Sequence, residues 1–338
     1  MGSTVLQKIK LSALITTIVI SESFSQGIIN TQVDKTIVEI SPYAIAYYDA
    51  NDSFIISSLT RGQLGMVNNK GEYKVLCDDS KLTSYTTWGL TIQNNLARVC
   101  IGPSRLSLNN LKKSTVAKVA TIDLNTGNYL NDIDLTRLKP NGSLGSIATS
   151  IASDNHNADL YVTDMIAGAI YKITSAGQST LFTHDNLFKG STSQEKASDG
   201  SLGITGIAIS DSCILVSNYT KGQIIRVSMD AKKIIPVEID KPFNFVGITD
   251  LIFNKTGSLI AINNRTNCIY ELKSTDNWRT ASVVAINPTD YRGPIGGVLV
   301  NDKIFILTNK KPTYTITPYI RQLNHSLLDK DSSEVNDN

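Results

Sequence analysis

Short apolar runs separated by polar breaks recur along most of this chain. In the stretch Gly203–Val227, a first apolar run is broken at Ser210–Ser212, and the runs Cys213–Val216 and Gln223–Val227 follow it. β-Branched residues fill the runs, and Asn, Asp and Gly fill the breaks. This pattern is typical of strands joined by tight turns. The stretch therefore predicts three short β-strands.

The same pattern returns with a period of roughly 45–60 residues, which is typical of propellers and other repeat arrays. The repeats begin at Pro42, Trp88, Ala148, Gly203, Gly247 and Pro294. Further strand-like segments follow these repeats, and they predict a fourth strand for most units: Glu72–Leu76, Asn128–Leu130, Thr180–Phe182, Lys233–Ile239 and Ser282–Ile286. Six units of up to four strands predict an all-β fold, a six-bladed β-propeller.

The last unit is one strand short, whereas the strand-like segment Thr36–Ile40 precedes the first unit and belongs to no unit. We therefore expect this N-terminal strand to join the last blade and close the ring, because closure leaves no free sheet edge. The alternative is one β-sandwich or a pair of them. A sandwich explains neither the six units nor the Gly-rich start of many of them.

The N-terminus has the order of an export signal. Lys8 and Lys10 precede the apolar run Leu11–Ile20, and the small polar segment Ser21–Gln26 follows. We expect a signal peptide over residues 1–25, a propeller over 26–323 and a disordered polar tail over 324–338. The apolar run is too short to span a bilayer, so the mature chain is expected to lack a transmembrane span and to be secreted or periplasmic. A buried or amphipathic N-terminal segment, or an uncleaved anchor, remains the alternative.

Composition narrows the classes of partner. Hydrophobic residues make up 41% of the 338 residues and charged residues 18%, enough apolar content for a packed core. The net charge is +2 and there is no basic block, so we expect no nucleic-acid partner. We also expect a monomer whose ligand or substrate is a small molecule. The four cysteines form no CxxC pair, which disfavours a zinc site, and buried thiols are expected, although export would permit a disulfide.

The repeat starts, together with runs such as Leu160–Asp164 (LYVTD), resemble the SMP-30/gluconolactonase/LRE-like group, which includes proteins described as calcium-dependent phosphotriesterase-like. The resemblance covers nearly all of residues 36–320 and implies a six-bladed propeller. It also implies a divalent cation such as calcium in the central channel and hydrolysis of lactones or phosphoesters. In that family, Glu, Asn and Asp side chains at the repeat starts bind the cation, as a hard ion requires.

This chain departs from that pattern at the repeat starts. We aligned them on the first apolar residue of each, namely Ile45, Leu90, Ile151, Ile207, Leu251 and Val298. The column in which the family places Asn and Asp then contains Tyr43, Trp88, Thr149, Thr205, Thr249 and Gly296. Glu39 lies about three positions too early for the family's Glu. The cation site is therefore expected to be degenerate.

Candidate site residues follow from this alignment. Thr149, Thr205 and Thr249 are expected to line the channel, although Thr also simply suits strands. Tyr43 and Trp88 are expected to form an aromatic wall at the channel mouth, or else to pack between blades.

Asp250 is the only acidic residue in the aligned columns, so it is the expected cation ligand or base; the alternative is a capping residue at a strand start. Its shift by one position would turn it to the other face of a regular strand. No catalytic residue is assigned, since nucleophile-elbow, Walker and HExxH motifs are absent from the sequence.

Two functions remain open from the sequence. The first is an exported lactone or ester hydrolase with an altered central metal site. The second is a non-catalytic binding propeller that recognises a small molecule, glycan or peptide at the channel mouth.

Overall fold

The structure is a computed structural model that describes residues 29–31, 41–103, 115–143, 145–191, 202–288, 293–310 and 313–318. The expected signal peptide at 1–25, the expected closing strand Thr36–Ile40 and the expected tail at 324–338 lie outside the described residues.

Short strands dominate the described chain. In chain order, the first half contains β1 (Ile29–Thr31), β2 (Pro42–Tyr48), β3 (Ser53–Ser58), β4 (Leu64–Asn68), β5 (Tyr73–Cys77), β6 (Thr86–Gln93), β7 (Leu96–Gly102), β8 (Thr115–Val116), β9 (Lys118–Asp123), β10 (Tyr129–Asp134), β11 (Ser146–Ser153), β12 (Leu160–Asp164), β13 (Ala169–Ile173) and β14 (Ser179–His184). The second half contains β15 (Ile204–Ile209), β16 (Cys213–Asn218), β17 (Gln223–Ser228), β18 (Ile234–Pro236), β19 (Glu238–Ile239), β20 (Ile248–Phe253), β21 (Leu259–Asn263), β22 (Cys268–Lys273), β23 (Thr280–Pro288), β24 (Pro294–Val300), β25 (Lys303–Lys310) and β26 (Thr313–Pro318).

Helical structure is brief. Within the described ranges, one α-helix, α1 (Ser80–Thr83), connects β5 to β6, and single 3-10 turns occur at Asp49–Asn51, Thr136–Leu138 and Asn186–Phe188. The Asp79 carboxylate caps α1 by accepting a hydrogen bond from the Lys81 amide. The sequence pattern had not indicated this helix, because one helical turn is too short to show a 3.6-residue period.

The strands form antiparallel sheets: β2-β3-β4-β5, β6-β7-β9-β10, β11-β12-β13-β14, β15-β16-β17-β18, β20-β21-β22-β23 and β24-β25-β26-β1. Within each sheet the order follows the chain, except that β1 pairs with β26 of the last sheet. The first strand of each sheet contacts the first strand of the sheets on either side, as β6 contacts β2 and β11. The first strands therefore surround a central channel. The fold is an all-β propeller.

Two short strands cross from one sheet to the next. β8 pairs in parallel with the start of β11, and β19 pairs in parallel with β23. The predicted single strand Lys233–Ile239 is therefore divided into β18 and β19. The division follows Pro236, which has no amide to continue the ladder. After it, the Glu238 amide donates to the Arg279 carbonyl of the neighbouring sheet.

Apolar side chains fill the spaces between successive sheets. One cluster, for example, contains Leu215 of β16, Leu251 of β20 and Tyr270 of β22. The four cysteines are buried in these clusters as free thiols, as the interpretation of them as buried apolar residues predicted. Packing between sheets therefore accounts for the apolar runs in the sequence.

Candidate functional site

The first strands of the sheets enclose a cavity of about 540 Å³ in the centre of the propeller. Its walls are largely aliphatic and come from the second halves of these strands, with residues such as Ile45, Ile151 and Leu251. Polar side chains occupy its two ends. One end is lined by residues from earlier parts of the strands, namely Tyr43, Ser150, Thr249 and Asp250. The other end is lined by the last residues of β6 and β11 and by the turns after them, namely Gln93, Asn94, Ser153, Asp154 and Asn155.

Each first strand contains a register shift at the same point. The shift lies before Ser150 in β11, before Asp250 in β20 and between Ile204 and Ile207 in β15. A bulge places two residues opposite one, so the side-chain alternation of a regular strand does not hold across it. The parity argument from the sequence therefore does not apply to Asp250, which contributes to the cavity lining.

Hydroxyl groups on the second strands satisfy the bulge amides of three sheets. The amide of Ser150 donates to the Thr163 hydroxyl at 3.0 Å and that of Gly206 to the Ser217 hydroxyl at 2.9 Å. The Ala44 amide donates to Ser57 in the same way, at 2.9 Å. Because an unpaired buried amide is costly, these hydroxyls stabilise the end of the cavity that is lined by Tyr43, Ser150 and Asp250. We call it the narrow end, because neighbouring first strands approach each other closely there.

Asp250 also accepts backbone amides, one from its own sheet and one from the next sheet. Its Oδ2 accepts the Gly297 amide at 3.0 Å, and its Oδ1 accepts the amide of Leu251 at 2.9 Å. The position opposite its own bulge is Ile262, which has no hydroxyl. Burial among the surrounding strands raises the pKa of Asp250 to about 7, although both amide hydrogen bonds oppose this rise. The carboxyl therefore changes charge near neutral pH.

Tyr43 lies beside Asp250 at the same end of the cavity. Burial, followed by the nearby Asp250 charge, raises the pKa of its phenol, while a side-chain hydrogen bond with Ser150 opposes this. The Tyr43 ring also packs edge-on against Trp88, with ring centroids 4.9 Å apart. The Tyr43 hydroxyl is therefore neutral, and it is close enough to Asp250 to be affected by the charge of the carboxyl.

Trp88 lies behind Tyr43 and is not part of the cavity lining. It is buried, and its indole N–H donates to the Thr86 hydroxyl at 2.7 Å. The two aromatic residues from the sequence analysis are thus in contact with each other, but only Tyr43 reaches the cavity.

The three threonines of the aligned column are all buried. The Thr205 hydroxyl donates to the Ile248 carbonyl of the next sheet at 2.7 Å, and the Thr249 hydroxyl donates to the Ile262 carbonyl at 3.2 Å. The Thr149 hydroxyl accepts the Met165 amide at 3.2 Å. Only Thr249 belongs to the cavity lining. These hydroxyls are engaged with the backbone rather than directed at a ligand.

Strand pairing corrects the alignment of the sixth repeat. Gly296 follows the register shift of β24 as Asp250 follows that of β20. The structural equivalent of Leu251 is therefore Gly297, one residue earlier than the Val298 used from the sequence. Gly296 and Gly297 obscure this offset in the sequence, because a glycine has no side chain to show where the apolar run begins.

The close approach of neighbouring first strands explains the small residues in this ring. A Cβ atom on Gly89 would lie 2.6 Å from the Ser150 Cα, and one on Gly206 would lie 3.0 Å from the Asp250 Cα. Larger side chains at these positions would force the strands apart. Asp250 fits because its side chain fills the space beside Gly296 and Gly297.

The opposite end of the cavity is polar. The Gln93 side chain donates to the Ser153 hydroxyl and, at 3.3 Å, to the Ala158 carbonyl. Asp154 is almost fully buried and accepts the His156 amide at 2.9 Å. None of these residues had an assigned role from the sequence; Gln93 and Ser153 end their strands, and Asp154 begins the turn after β11.

The donor set does not fit the cation site that the resemblance implies. Ca²⁺ takes about six to eight oxygen ligands, several of them carboxylates. At the narrow end Asp250 is the single carboxyl, and both of its oxygens already accept amide protons. Within the described ranges, no group of three or more His, Cys, Asp or Glu side chains is placed to bind a metal.

Similarity to known proteins is structural. No protein-family model matches the sequence, and no curated protein matches it significantly. The fold is similar to that of the major allergen Mala s 1 of Malassezia sympodialis, with a TM-score of 0.65 at 13% identity, covering 86% of this chain and 95% of that one.

Two enzyme structures share the fold. A catalytically inactive virginiamycin B lyase from Staphylococcus aureus with quinupristin aligns with a TM-score of 0.55 at 15% identity, covering 85% of this chain and 98% of that one. A gluconolactonase from Xanthomonas campestris aligns with a TM-score of 0.55 at 12% identity, covering 86% and 88%. At such identities the likeness supports the propeller fold, and the chemistry of this chain must be argued from its own residues.

Among the described residues, no helix has the length and apolar character needed to cross a membrane.

Proposed function

We propose that this protein is a hydrolase of small lactones or related esters that acts in the central cavity with Asp250 as general base. The observation that carries the proposal is a carboxyl at the narrow end of an apolar cavity with a pKa of about 7. A general base works best when its pKa lies near the operating pH. The shared propeller fold of a gluconolactonase adds support at the level of architecture.

In this mechanism the aliphatic walls accept the carbon skeleton of the ester. The ionised Asp250 takes a proton from a water molecule as the water oxygen attacks the ester carbonyl. The Tyr43 hydroxyl, which stays protonated because its pKa is raised, donates a hydrogen bond to the developing oxyanion. The C–O bond then breaks, and the protonated Asp250 returns its proton to the leaving alkoxide. The product is a hydroxy acid, and no step requires a metal.

The test is hydrolysis of a panel of neutral lactones by metal-stripped protein. The Asp250→Asn and Tyr43→Phe variants should each lower kcat/KM by at least about a hundredfold, the lower end of general-base and oxyanion contributions. The matched control is Asp211→Asn, which removes an exposed carboxyl outside the cavity. Turnover that is unchanged in Asp250→Asn would contradict the assignment of the base.

The second candidate is a non-catalytic binding propeller. It is favoured by the aliphatic walls and by the engagement of both Asp250 oxygens with backbone amides. A ligand that binds in the cavity without turnover would support it. Calorimetric titration with calcium tests a cation site directly, and binding abolished by Asp250→Ala would restore the metal hypothesis.

We also propose six blades closed by the N-terminal segment. Two observations support this: the sheets of the described residues number six, and β1 pairs antiparallel with β26 through Ile29–Ile316, Asn30–Thr315 and Thr31–Tyr314. The pairing segment lies N-terminal to the predicted Thr36–Ile40. Deleting residues 26–35 should lower the Tm, whereas deleting 324–338 should not.

Export is proposed from the order of basic, apolar and small residues in the first 25 positions. Mass spectrometry of the mature N-terminus tests it. A chain that begins at Gln26 is expected, and an intact Met1 terminus in secreted protein would contradict it.

A further inference from the structure

Arg98 is an unusual residue for its place in the fold. It lies on β7, pairs with Thr91 of β6 and Thr121 of β9, and faces the space between the second and third sheets. Its neighbours in that space are Ile133 of its own sheet and, across it, Leu160 and Ile173 of the third sheet. A guanidinium group among aliphatic side chains is costly unless it is paired.

The repeats provide an internal comparison for this position. In strand register, the equivalents of Arg98 in the other sheets are Ile55, Tyr161, Leu215, Ile260 and Phe305. The first four are essentially inaccessible to solvent. One sheet therefore places a cation where the others place an apolar or aromatic side chain, so packing alone does not require Arg98.

The bonding of Arg98 is incomplete within the described part of the chain. One terminal nitrogen donates to the Thr121 hydroxyl at 2.6 Å. The Nε atom is buried and has no hydrogen-bond partner, and no carboxylate forms an ion pair with the guanidinium. Burial lowers the pKa of Arg98, and no neighbouring charge opposes this. The side chain thus has unused capacity to bind an anion.

A cleft of about 130 Å³ adjoins Arg98. Three of the residues that line this cleft, Gln93, Asn94 and Ala158, also line the mouth of the central cavity. The turn containing Ser175 and Gly177 forms another wall. A ligand in the central cavity could therefore extend an anionic group past Gln93 towards Arg98.

We propose that this cleft is an oxyanion subsite in which Arg98 binds a carboxylate or phosphate group of the ligand. The ligand class is then a small molecule with an apolar body and one anionic end. The proposal rests on the proposed use of the central cavity as a small-molecule site, and it adds the charge of the molecule to be sought. Arg is suited to this task because its planar fork matches a carboxylate or phosphate.

The experiment measures binding of acetate and of inorganic phosphate to the full chain by calorimetry at constant ionic strength. Saturable binding is expected for the wild type, and the stronger of the two anions identifies the chemistry. The Arg98→Leu variant should weaken it by about tenfold or more, the loss expected for a charge-assisted hydrogen bond. Arg98→Leu should remain folded, because aliphatic side chains occupy the equivalent positions in other sheets.

The matched control is Arg137→Leu, which removes an exposed positive charge from the same repeat. It should bind both anions as the wild type does. Absence of saturable binding to the wild type, equal binding by wild type and Arg98→Leu, or equal loss in the two variants would each overturn the proposal.

Lactone turnover separates this proposal from the proposed function. Turnover without anion binding overturns the subsite alone. Anion binding at Arg98 without turnover of any neutral or carboxylate-bearing lactone supports the subsite and removes the hydrolase.

Discussion

Replacement of Asp250 by Asn should change how the stability of the propeller depends on pH. The carboxyl has a pKa of about 7 in the folded protein, compared with an ordinary value of 3.8. The folded state therefore prefers the protonated form. The favourable contribution of Asp250 is complete below pH 3.8, declines as the pH rises, and is lost once the pH passes about 7.

The magnitude follows from the size of this shift. One pKa unit corresponds to about 1.4 kcal/mol, and the rise from 3.8 to about 7 spans about three units. The upper limit is thus about 4 kcal/mol between acid and pH 8. The opening of Asp250 to the cavity reduces it, so we expect about 2–3 kcal/mol.

The Asp250→Asn variant cannot ionise, and it retains one oxygen for the two amides of Leu251 and Gly297. The amide that loses its acceptor should cost about 1–3 kcal/mol at every pH. The variant should therefore be less stable than the wild type at pH 5, and this difference should shrink or reverse at pH 8.

Urea unfolding of both proteins at intervals from pH 4 to pH 8 measures this effect. The difference between the two free energies of unfolding isolates Asp250, because other titrating groups are common to both proteins. A difference that stays constant from pH 5 to pH 8 would refute the raised pKa. Carboxyl carbon NMR offers a second readout: the signal lost in Asp250→Asn should titrate near pH 7 in the wild type.

Four further substitutions test the packing around the channel and within one sheet. Gly89→Ala should cost at least about 1–3 kcal/mol, since its Cβ would lie 2.6 Å from a backbone carbon of the next sheet. Gly296→Ala should cost less, because its nearest contact would be 3.2 Å, and equal losses of Tm would contradict this comparison. Ser217→Ala should cost about 1–3 kcal/mol by leaving a bulge amide unpaired, whereas the exposed Ser84→Ala should leave the Tm unchanged. Asp164→Asn should lower the Tm strongly, because its two buried oxygens accept three backbone amides and two hydroxyls; a Tm within one degree or so of wild type would contradict this.

Strand positions were largely predictable from the sequence, because strands that are buried on both faces produce short apolar runs between polar turns. The predicted runs Cys213–Val216 and Gln223–Val227 correspond to β16 and β17, which extend one or two residues further. The divided segment at Lys233–Ile239 was predicted as one strand, because a run of strand-forming residues does not reveal which sheet each part joins.

The site was less accessible to sequence reasoning. Asp250 was identified because an acidic residue in a column of small and hydroxyl residues is conspicuous. Its contacts were not predictable, since they depend on a bulge and on Gly297 of another sheet. The threonine column shows the converse. Its shared register is real, but its hydroxyls bond to backbone groups of the same or the next sheet.

The sequence by itself determined the class of fold, the repeating unit and the buried positions, because these depend on local patterns of apolar and turn residues. The tertiary structure alone decided which residues meet. It placed Tyr43, Ser150 and Asp250 at one end of a shared cavity, and it placed Arg98 in an apolar space between sheets. Such distances are set by the arrangement of sheets around the channel, and a linear pattern does not contain them.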